Sequence, residues 1–253
     1  MPPDQYFSVV VQLTRGCSWN RCTFCNFYAD QAFGVMEETA FVQHLEAVSA
    51  LLGRGAALRP TLFLGGGNAL MLSNRRLLAL LRRARQVFGD RPAAGFVDVA
   101  AGAKKSLADW QALRAEGVER VYLGLETGHD PLLAWLGKPG SRAESLKLAH
   151  TLRAAGLSVN PIVMVGVGGE AYAADHEAQT AELLRELPLE AGDLAYLSPF
   201  VPHPGSEYTR RAEAAGLRPL TQEALDAQYQ ALATAARRPG VRAARYDIGE
   251  FLY

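Results

Sequence analysis

The stretch that decides the fold class runs from residue 121 to residue 169 and reads VYLGLETGHDPLLAWLGKPGSRAESLKLAHTLRAAGLSVNPIVMVGVGG. It begins with an apolar run at 121–125 and ends with a longer one at 158–167, neither of which contains a charge. Between them, a helical pattern at 142–155 follows a break at Pro139-Gly140. Two buried strands joined by a helix are typical of a parallel sheet with right-handed crossovers.

The same alternation continues on both sides of this unit. Six strands are fewer than the eight of a closed barrel, so the sequence predicts an α/β fold, an open partial (β/α)6 TIM-type barrel, with a doubly wound sheet as the second choice. We expect a single domain, 1–253, with a core at about 7–200 and a C-terminal helical extension at about 201–253. The other apolar runs lie at 7–13, 61–64, 95–101 and 194–200, and the other helical patterns lie at 37–52, from Ser73 onward, and at 106–116, 173–187, 206–215 and 221–237.

Composition limits the classes of partner. Lys+Arg 26 against Asp+Glu 26 gives a net charge of zero, so there is no strong signal for nucleic-acid binding. The N-terminal stretch lacks the pattern of a secretory signal, and no run approaches the roughly 20 apolar residues that cross a bilayer. The three cysteines are odd in number and close together, which is unlike a disulfide scaffold. The sequence therefore predicts a cytoplasmic protein without a membrane partner.

Three cysteines follow the first predicted strand in the loop GCSWNRCTFC, residues 16–25. Loops at the carboxyl ends of parallel strands carry the chemistry in such folds. Three thiolates can hold three corners of a four-iron, four-sulfur (4Fe-4S) cluster and leave one iron open for catalysis. We therefore predict Cys17, Cys22 and Cys25 as metal ligands. Arg15 and Arg21 lie beside them in sequence and would favour the thiolate form.

Two other interpretations of these cysteines remain open. A structural zinc site would need a fourth ligand, and no Cys or His lies at the usual short spacing. The nearest histidine, His44, falls inside the first helical pattern and is expected on its surface. Inert buried thiols are the second alternative. The C-x4-C-x2-C spacing after a first strand favours the cluster over both.

The segment from Gly16 to Tyr28 resembles the cluster loop of the radical S-adenosylmethionine superfamily. The usual signature there is C-x3-C-x2-C, and this chain is similar to a branch with one more residue in the first gap. The resemblance implies that the open iron binds the amino and carboxylate groups of S-adenosylmethionine. It also implies that the aromatic residue before the last cysteine lies near the adenine.

Three further motifs resemble segments of the same family, each at the end of a predicted strand. GGN at 66–68 stands where the family has Gly-Gly-Glu, whose main chain receives the amino group of the cofactor. GLETG at 124–128 is similar to a cofactor-contacting Gly-Leu-Glu-Ser-Gly, and VMVGVGG at 163–169 is similar to a fifth-strand segment that packs on the adenine. The cofactor-binding residues that follow are Phe24, Gly66, Gly67, Asn68, Glu126, Val165 and Gly166.

The resemblance implies a reaction as well as a fold. The implied enzyme cleaves S-adenosylmethionine reductively to a 5′-deoxyadenosyl radical, which acts on a substrate that the sequence does not identify. An electron donor such as flavodoxin or ferredoxin is implied as a partner. The alternative from another class is a non-catalytic iron-sulfur or haem-handling binding protein on the same scaffold. Release of 5′-deoxyadenosine distinguishes the two.

Four polar side chains near these motifs are further candidates for a role in the site. We expect Glu126 to accept hydrogen bonds from ribose hydroxyls, with a helix cap or surface ion pair as its alternative. We expect Lys138 to be a solvated turn lysine that does not reach the cofactor. Asp98 would face the barrel interior, where it needs a partner that the sequence does not name. His203 is expected to be a loop histidine that could touch substrate.

Overall fold

A computed structural model of the chain describes residues 1–247. The strands in this part are β1 (Val9–Gln12), β2 (Thr14–Arg15), β3 (Gly34–Val35), β4 (Leu62–Gly65), β5 (Ala93–Asp98), β6 (Val118–Glu126), β7 (Ser158–Val165), β8 (Leu194–Pro199) and β9 (Arg242–Arg245). The helices are α1 (Glu38–Leu52), α2 (Asn74–Phe88), α3 (Val99–Gly102), α4 (Leu107–Ala115), α5 (Asp130–Trp135), α6 (Arg142–Ala154), α7 (Gly169–Glu186), α8 (Glu207–Ala214) and α9 (Gln222–Ala236). In residues 1–247 no helix combines the length and apolarity needed to span a bilayer.

Seven strands form one sheet in the order β1-β4-β5-β6-β7-β8-β9, and every neighbouring pair is parallel. The order never reverses, as it would in a doubly wound sheet, so the sheet has the connectivity of a barrel segment. Within residues 1–247, β1 and β9 are the two edges of this sheet, and it stays open. The predicted open, TIM-type α/β fold is confirmed.

The sheet has one strand more than the predicted six. β9 (Arg242–Arg245) pairs with β8, in a region that the sequence predicts to be a helical extension. Its residues read Arg-Ala-Ala-Arg, so neither an apolar run nor β-branched side chains mark this edge strand. The two predicted helices of the extension are present as α8 and α9. Of the last predicted segment, 245–253, residues 248–253 lie outside the part of the chain described.

The third predicted strand is shorter than its apolar run. β5 ends at Asp98, and the following residues form α3 instead of continuing the strand to residue 101. The reason is a helix cap: the carboxylate of Asp98 accepts the backbone N–H of Ala101 at 2.7 Å.

The two faces of the sheet carry different side chains. Aliphatic residues such as Leu64, Val121 and Val163 pack in the core cluster that includes the helices. The opposite face, which is the interior of the partial barrel, bears an aromatic layer. Its rings are those of Phe63, Phe96, Tyr122, Tyr196 and Tyr246.

The N-terminal turn is anchored to this aromatic layer. The carboxylate of Asp4 accepts hydrogen bonds from the hydroxyls of Tyr122 at 2.6 Å and Tyr196 at 2.7 Å. Burial and this neighbouring carboxylate raise the pKa of both tyrosines, so both hydroxyls remain neutral donors.

We expect Asp4→Ala to lower the free energy of unfolding by about 1–3 kcal/mol, because it leaves buried tyrosine hydroxyls without an acceptor. Chemical denaturation of the metal-free protein measures the change. Asp90→Ala is the control, since the Asp90 side chain is 85% exposed, and it should change stability by less than about 0.5 kcal/mol. Equal losses in the two variants would contradict the anchoring role of Asp4.

Candidate functional site

The motifs singled out in the sequence lie together at one edge of the sheet. The cysteine loop follows β1 and β2, residues 66–68 follow β4, Asp98 ends β5, Glu126 ends β6, and residues 166–169 follow β7. Because these sheet strands are parallel, their carboxyl ends meet at the same edge. The topology therefore brings the predicted site residues to one place.

Two short strands and two hydrogen bonds hold the cysteine loop. β2 pairs antiparallel with β3, which closes both ends of the loop at 16–33. The indole N–H of Trp19 donates to the backbone oxygen of Gly137 at 2.8 Å, and the backbone N–H of Thr23 donates to that of Leu136 at 2.8 Å. These bonds fix the loop against the turn that follows α5. Strands of two residues give no periodic pattern, so the sequence does not reveal them.

The three thiols are free, partly buried and close enough to influence one another. Burial raises the pKa of Cys22 to about 12; Lys138 opposes this rise, whereas Glu126, Cys25 and Cys17 add to it. Burial also raises the pKa of Cys25; a hydrogen bond from the backbone of Phe27 and the charge of Lys138 oppose this rise, whereas Cys17 and Glu126 add to it. Ligation of a metal must therefore displace protons from these thiols.

That Arg15 and Arg21 favour the thiolate form stays a prediction, but a further cation, Lys138, also acts on the thiols. Lys138 acts on the pKa of both Cys22 and Cys25. Arg21 lies over the ring of Trp19, with its guanidinium carbon 5.6 Å from the ring centroid.

The donor set fits a cubic iron-sulfur cluster. Such a cluster takes one thiolate on each of three irons, so its ligands do not converge on one point. A single zinc ion needs about four ligands around one point. Among residues 1–247 no three His, Cys, Asp or Glu side chains are grouped around a single ion position.

Glu126 and Lys138 form a nearly buried ion pair. Lys138 Nζ lies 2.7 Å from Glu126 Oε1, and the two side chains are 11% and 10% exposed. Burial lowers the pKa of Lys138 and is the largest single influence on it, but Glu126, Cys22 and Asp98 together outweigh burial and raise that pKa above its ordinary value. The expectation that Lys138 is a solvated turn residue is wrong. Its partner lies 12 positions earlier, on the other side of α5, which no local pattern indicates.

Asp98 finds its missing partner in Asn68. The side-chain amide of Asn68 donates to the Asp98 carboxylate, and the backbone N–H of Asp98 donates back to Asn68 Oδ1 at 3.1 Å. Asn68 is 3% exposed. This reciprocal pair joins the ends of β4 and β5, and it places the carboxylate of Asp98 where it acts on Lys138.

Gly66 and Gly67 are in close contact with the cysteine loop. A Cβ at Gly66, where φ is +117°, would overlap the hydroxyl of Thr14. A Cβ at Gly67 would stand 2.9 Å from Cβ of Cys17 and 2.8 Å from a ring carbon of Tyr28. The absence of side chains here lets β4 approach the loop that carries the thiols.

The side chains at the end of β7 divide between the two faces of the sheet. Val165 is 1% exposed and packs in the aliphatic core, so only its backbone is left to face the site. Met164 lies on the other face, in an apolar cluster to which Phe24 is packed. The backbone N–H of Gly166 donates to Oε1 of Gln228 at 2.7 Å, which ties this segment to α9.

The two histidines considered from the sequence lie in different surroundings. His44 is half-buried, and its Nε2 accepts the backbone N–H of Gln12 at 3.0 Å, so the prediction of a surface residue is wrong. Burial lowers the pKa of His44. His203 is exposed and lies edge-on to Phe27 of the cysteine loop, with ring centroids 6.3 Å apart.

We expect Gly67→Ala to lower the iron bound after anaerobic reconstitution, because the new Cβ would displace Cys17. Iron and sulfide analysis measures the effect. Gly55→Ala is the matched control, since a Cβ at Gly55 meets no atom within 4 Å, and it should bind iron as the parent does. Full iron content in Gly67→Ala would show that the loop does not need this glycine.

A sequence model of the Radical SAM superfamily matches residues 11–183. No significant match was found among curated protein sequences. Coproporphyrinogen III oxidase (HemN) from Escherichia coli is similar in structure, with a TM-score of 0.64 and 19% identity, over 92% of this chain and 54% of that one.

Two further solved structures share the fold. Methylornithine synthase (PylB) has a TM-score of 0.62 at 14% identity, over 96% of this chain and 73% of that one. Archaeal Elp3 from Methanocaldococcus infernus, with an N-terminal deletion, has a TM-score of 0.61 at 13% identity, over 94% of this chain and 56% of that one. The chain thus spans little more than half of HemN and of Elp3. From the family match, the chain belongs to the radical S-adenosylmethionine superfamily, which uses a 4Fe-4S cluster and S-adenosylmethionine as cofactors.

Proposed function

We propose that this chain is an enzyme that cleaves S-adenosylmethionine reductively and directs the resulting radical to a substrate not yet identified. The observation that carries the proposal is the placement of three interacting thiols beside the buried Lys138–Glu126 pair, at the carboxyl edge of a parallel sheet. When bound, the reduced cluster supplies the electron that cleaves the cofactor into methionine and a 5′-deoxyadenosyl radical.

In this proposal the chain's own residues bind the cluster and orient the cofactor. Cys17, Cys22 and Cys25 supply three thiolates, which leaves one iron open because the chain has no fourth cysteine. The backbone at 66–68 receives the amino group of the methionine part, beside the Asp98 carboxylate that Asn68 holds in place. Close contact between this backbone and the cysteine loop keeps both binding elements in register.

The Lys138–Glu126 pair supplies one charge of each sign. Glu126 accepts hydrogen bonds from the ribose hydroxyls, as acidic residues do in nucleotide sites. Lys138, which interacts electrostatically with Cys22, would bind the carboxylate of the methionine part. In the absence of cofactor the two side chains compensate each other's charge.

Apolar side chains shield the reaction. Phe24 packs with Met164 and Leu136, and we propose that this apolar cluster receives the adenine. Water and side reactions are excluded where such packing covers a radical intermediate.

An electron carrier such as flavodoxin or ferredoxin would approach from the outer side of the cysteine loop. Trp19 is 38% and Phe27 is 43% exposed there, and an open cleft in this face is lined by Cys22 and Cys25.

The substrate is not identified by the fold. The similar proteins act on different molecules according to their names, and the shared fold does not select among them.

We expect anaerobic protein with dithionite and S-adenosylmethionine to release 5′-deoxyadenosine and methionine. Cys17→Ala, Cys22→Ala and Cys25→Ala should each abolish this release and the brown cluster absorbance, because each removes a ligand. Ser18→Ala is the control, since Ser18 is exposed in the same loop. Cluster binding without 5′-deoxyadenosine would favour the non-catalytic alternative, and a cysteine variant with full iron would refute the ligand assignment.

We expect Glu126→Gln to weaken S-adenosylmethionine binding tenfold to a hundredfold, about 1.5–3 kcal/mol, while the cluster stays intact. Glu126→Ala should bind more weakly still, because it also leaves Lys138 buried without its partner. Titration of the reconstituted protein measures both. Glu116→Gln is the control: Glu116 also pairs with a cation, Arg82 at 2.8 Å, but precedes β6 at the opposite end of the strand. Parent-like affinity in Glu126→Ala would remove this residue from the site.

A further inference from the structure

His176 of α7 bridges the ends of two neighbouring strands. Its side chain is fully buried. Its Nε2 lies 2.9 Å from the backbone oxygen of Met164 on β7, and its Nδ1 lies 2.7 Å from Oγ1 of Thr127, the residue that follows β6. One side chain therefore contacts both segments that stand next to Glu126 and to residues 165–166.

The chemistry of the partners sets the direction of each hydrogen bond. A carbonyl oxygen only accepts, so Nε2 carries the proton and donates to Met164. Burial, together with the neighbouring His129, lowers the pKa of His176 to about 4, and the ring is neutral at pH 7. Nδ1 of a neutral ring then accepts the Thr127 hydroxyl at 2.7 Å, and the Thr180 hydroxyl is a second, longer contact of the same nitrogen at 3.2 Å. The Thr127 oxygen in turn accepts the backbone N–H of His129 at 3.0 Å.

α7 also holds the residue after Thr127. The backbone N–H of Gly128 donates to Oγ1 of Thr180 at 2.8 Å. A Cβ at Gly128 would stand 2.5 Å from the backbone oxygen of Gln179, so the helix packs directly on this part of the chain. Two successive residues after β6 are thus fixed by one helix.

The residue held in place by these contacts is strained. Glu126 has φ +64°, in the left-handed region that non-glycine residues rarely adopt, and the pairing of β6 with β7 shifts register between Gly124 and Glu126. Such a conformation is unfavourable for a non-glycine residue and persists only where the surroundings impose it. The bonds from Thr127 and Gly128 to α7 are the surroundings that impose it here.

We infer that His176 is a positioning residue for S-adenosylmethionine binding. Through Thr127 it holds the backbone that aims Glu126 into the site, and through Met164 it keeps the end of β7 aligned with that of β6. The inference rests on the proposed function, in which Glu126 and the end of β7 contact the cofactor. It adds a residue that touches neither the cluster nor the cofactor.

The test compares three variants of the reconstituted holoprotein by titration with S-adenosylmethionine. His176→Leu keeps much of the side-chain volume and removes both hydrogen bonds. His176→Asn keeps an acceptor near the position of Nδ1, whereas His176→Gln keeps a donor near that of Nε2. We expect about tenfold weaker binding in His176→Leu at parent-like iron content, as for other residues that orient a ligand-contacting group. His176→Asn should recover part of the affinity, and more of it than His176→Gln.

A double-mutant cycle identifies the path of the effect. Thr127→Val removes the hydroxyl at nearly constant shape, so it should weaken binding as His176→Leu does. If His176 acts through Thr127, the double variant binds about as weakly as either single one, because the two share one interaction. His150→Leu is the control, since His150 is exposed on α6, and it should bind as the parent does.

The outcomes separate this inference from the proposed function. A parent protein that binds no S-adenosylmethionine refutes the proposed function and the inference with it. A parent that binds and cleaves the cofactor, with unchanged affinity in His176→Leu or fully additive losses in the cycle, refutes the inference alone. If His176→Leu does not fold, the comparison of His176→Asn with His176→Gln decides, and equal or tighter binding by His176→Gln overturns the inference.

Discussion

Parallel strands must end at the same edge of their sheet, and the rest of the site depends on this constraint. Strands β1, β4, β5, β6 and β7 of the main sheet bring thiols, glycine backbone, two carboxylates and apolar side chains to one place, although these groups are separated in sequence. The connecting helices cover the outer face, so the interior side is left for aromatic packing and for the site. The chemistry therefore depends on the sheet's register as much as on the identity of the side chains.

Close contacts between backbone segments fix the relative positions of the groups in the site. The cysteine loop has little regular structure, but it is held by β3, by the turn after α5 and by the side-chain-free face of Gly67. Lys138 belongs to that same turn, so one contact region fixes both the thiols and the cation that acts on them. At the neighbouring strand end, α7 holds Glu126 in a strained conformation. The packing of the outer helix α7 thus determines the orientation of Glu126 in the site.

Local patterns in the sequence predicted the elements that are long and apolar, and they missed interactions between distant residues. The open parallel barrel is predicted by apolar runs such as 121–125 and 158–167. The cysteine loop is predicted by the spacing of its three cysteines. β9 was missed because Arg-Ala-Ala-Arg carries no strand signal. Lys138 was misplaced because its burial depends on Glu126, and the partner of Asp98 is Asn68, 30 positions earlier. Strand alternation turns the side chain of Val165 to the core, so a contact of this residue with the cofactor would have to come from its backbone. His176 could have been suspected only as a histidine inside an otherwise ordinary helix.

The central claim is that three thiolates hold a 4Fe-4S cluster whose fourth iron is open to S-adenosylmethionine. Mössbauer spectroscopy of the protein reconstituted with iron-57 tests it most directly, because it resolves one iron among four. The proposed ligand set predicts that added S-adenosylmethionine shifts the signal of about a quarter of the cluster iron to parameters of higher coordination, and leaves the other three quarters unchanged. A spectrum that is identical with and without the cofactor, or iron that is not in a 4Fe-4S cluster, would contradict it.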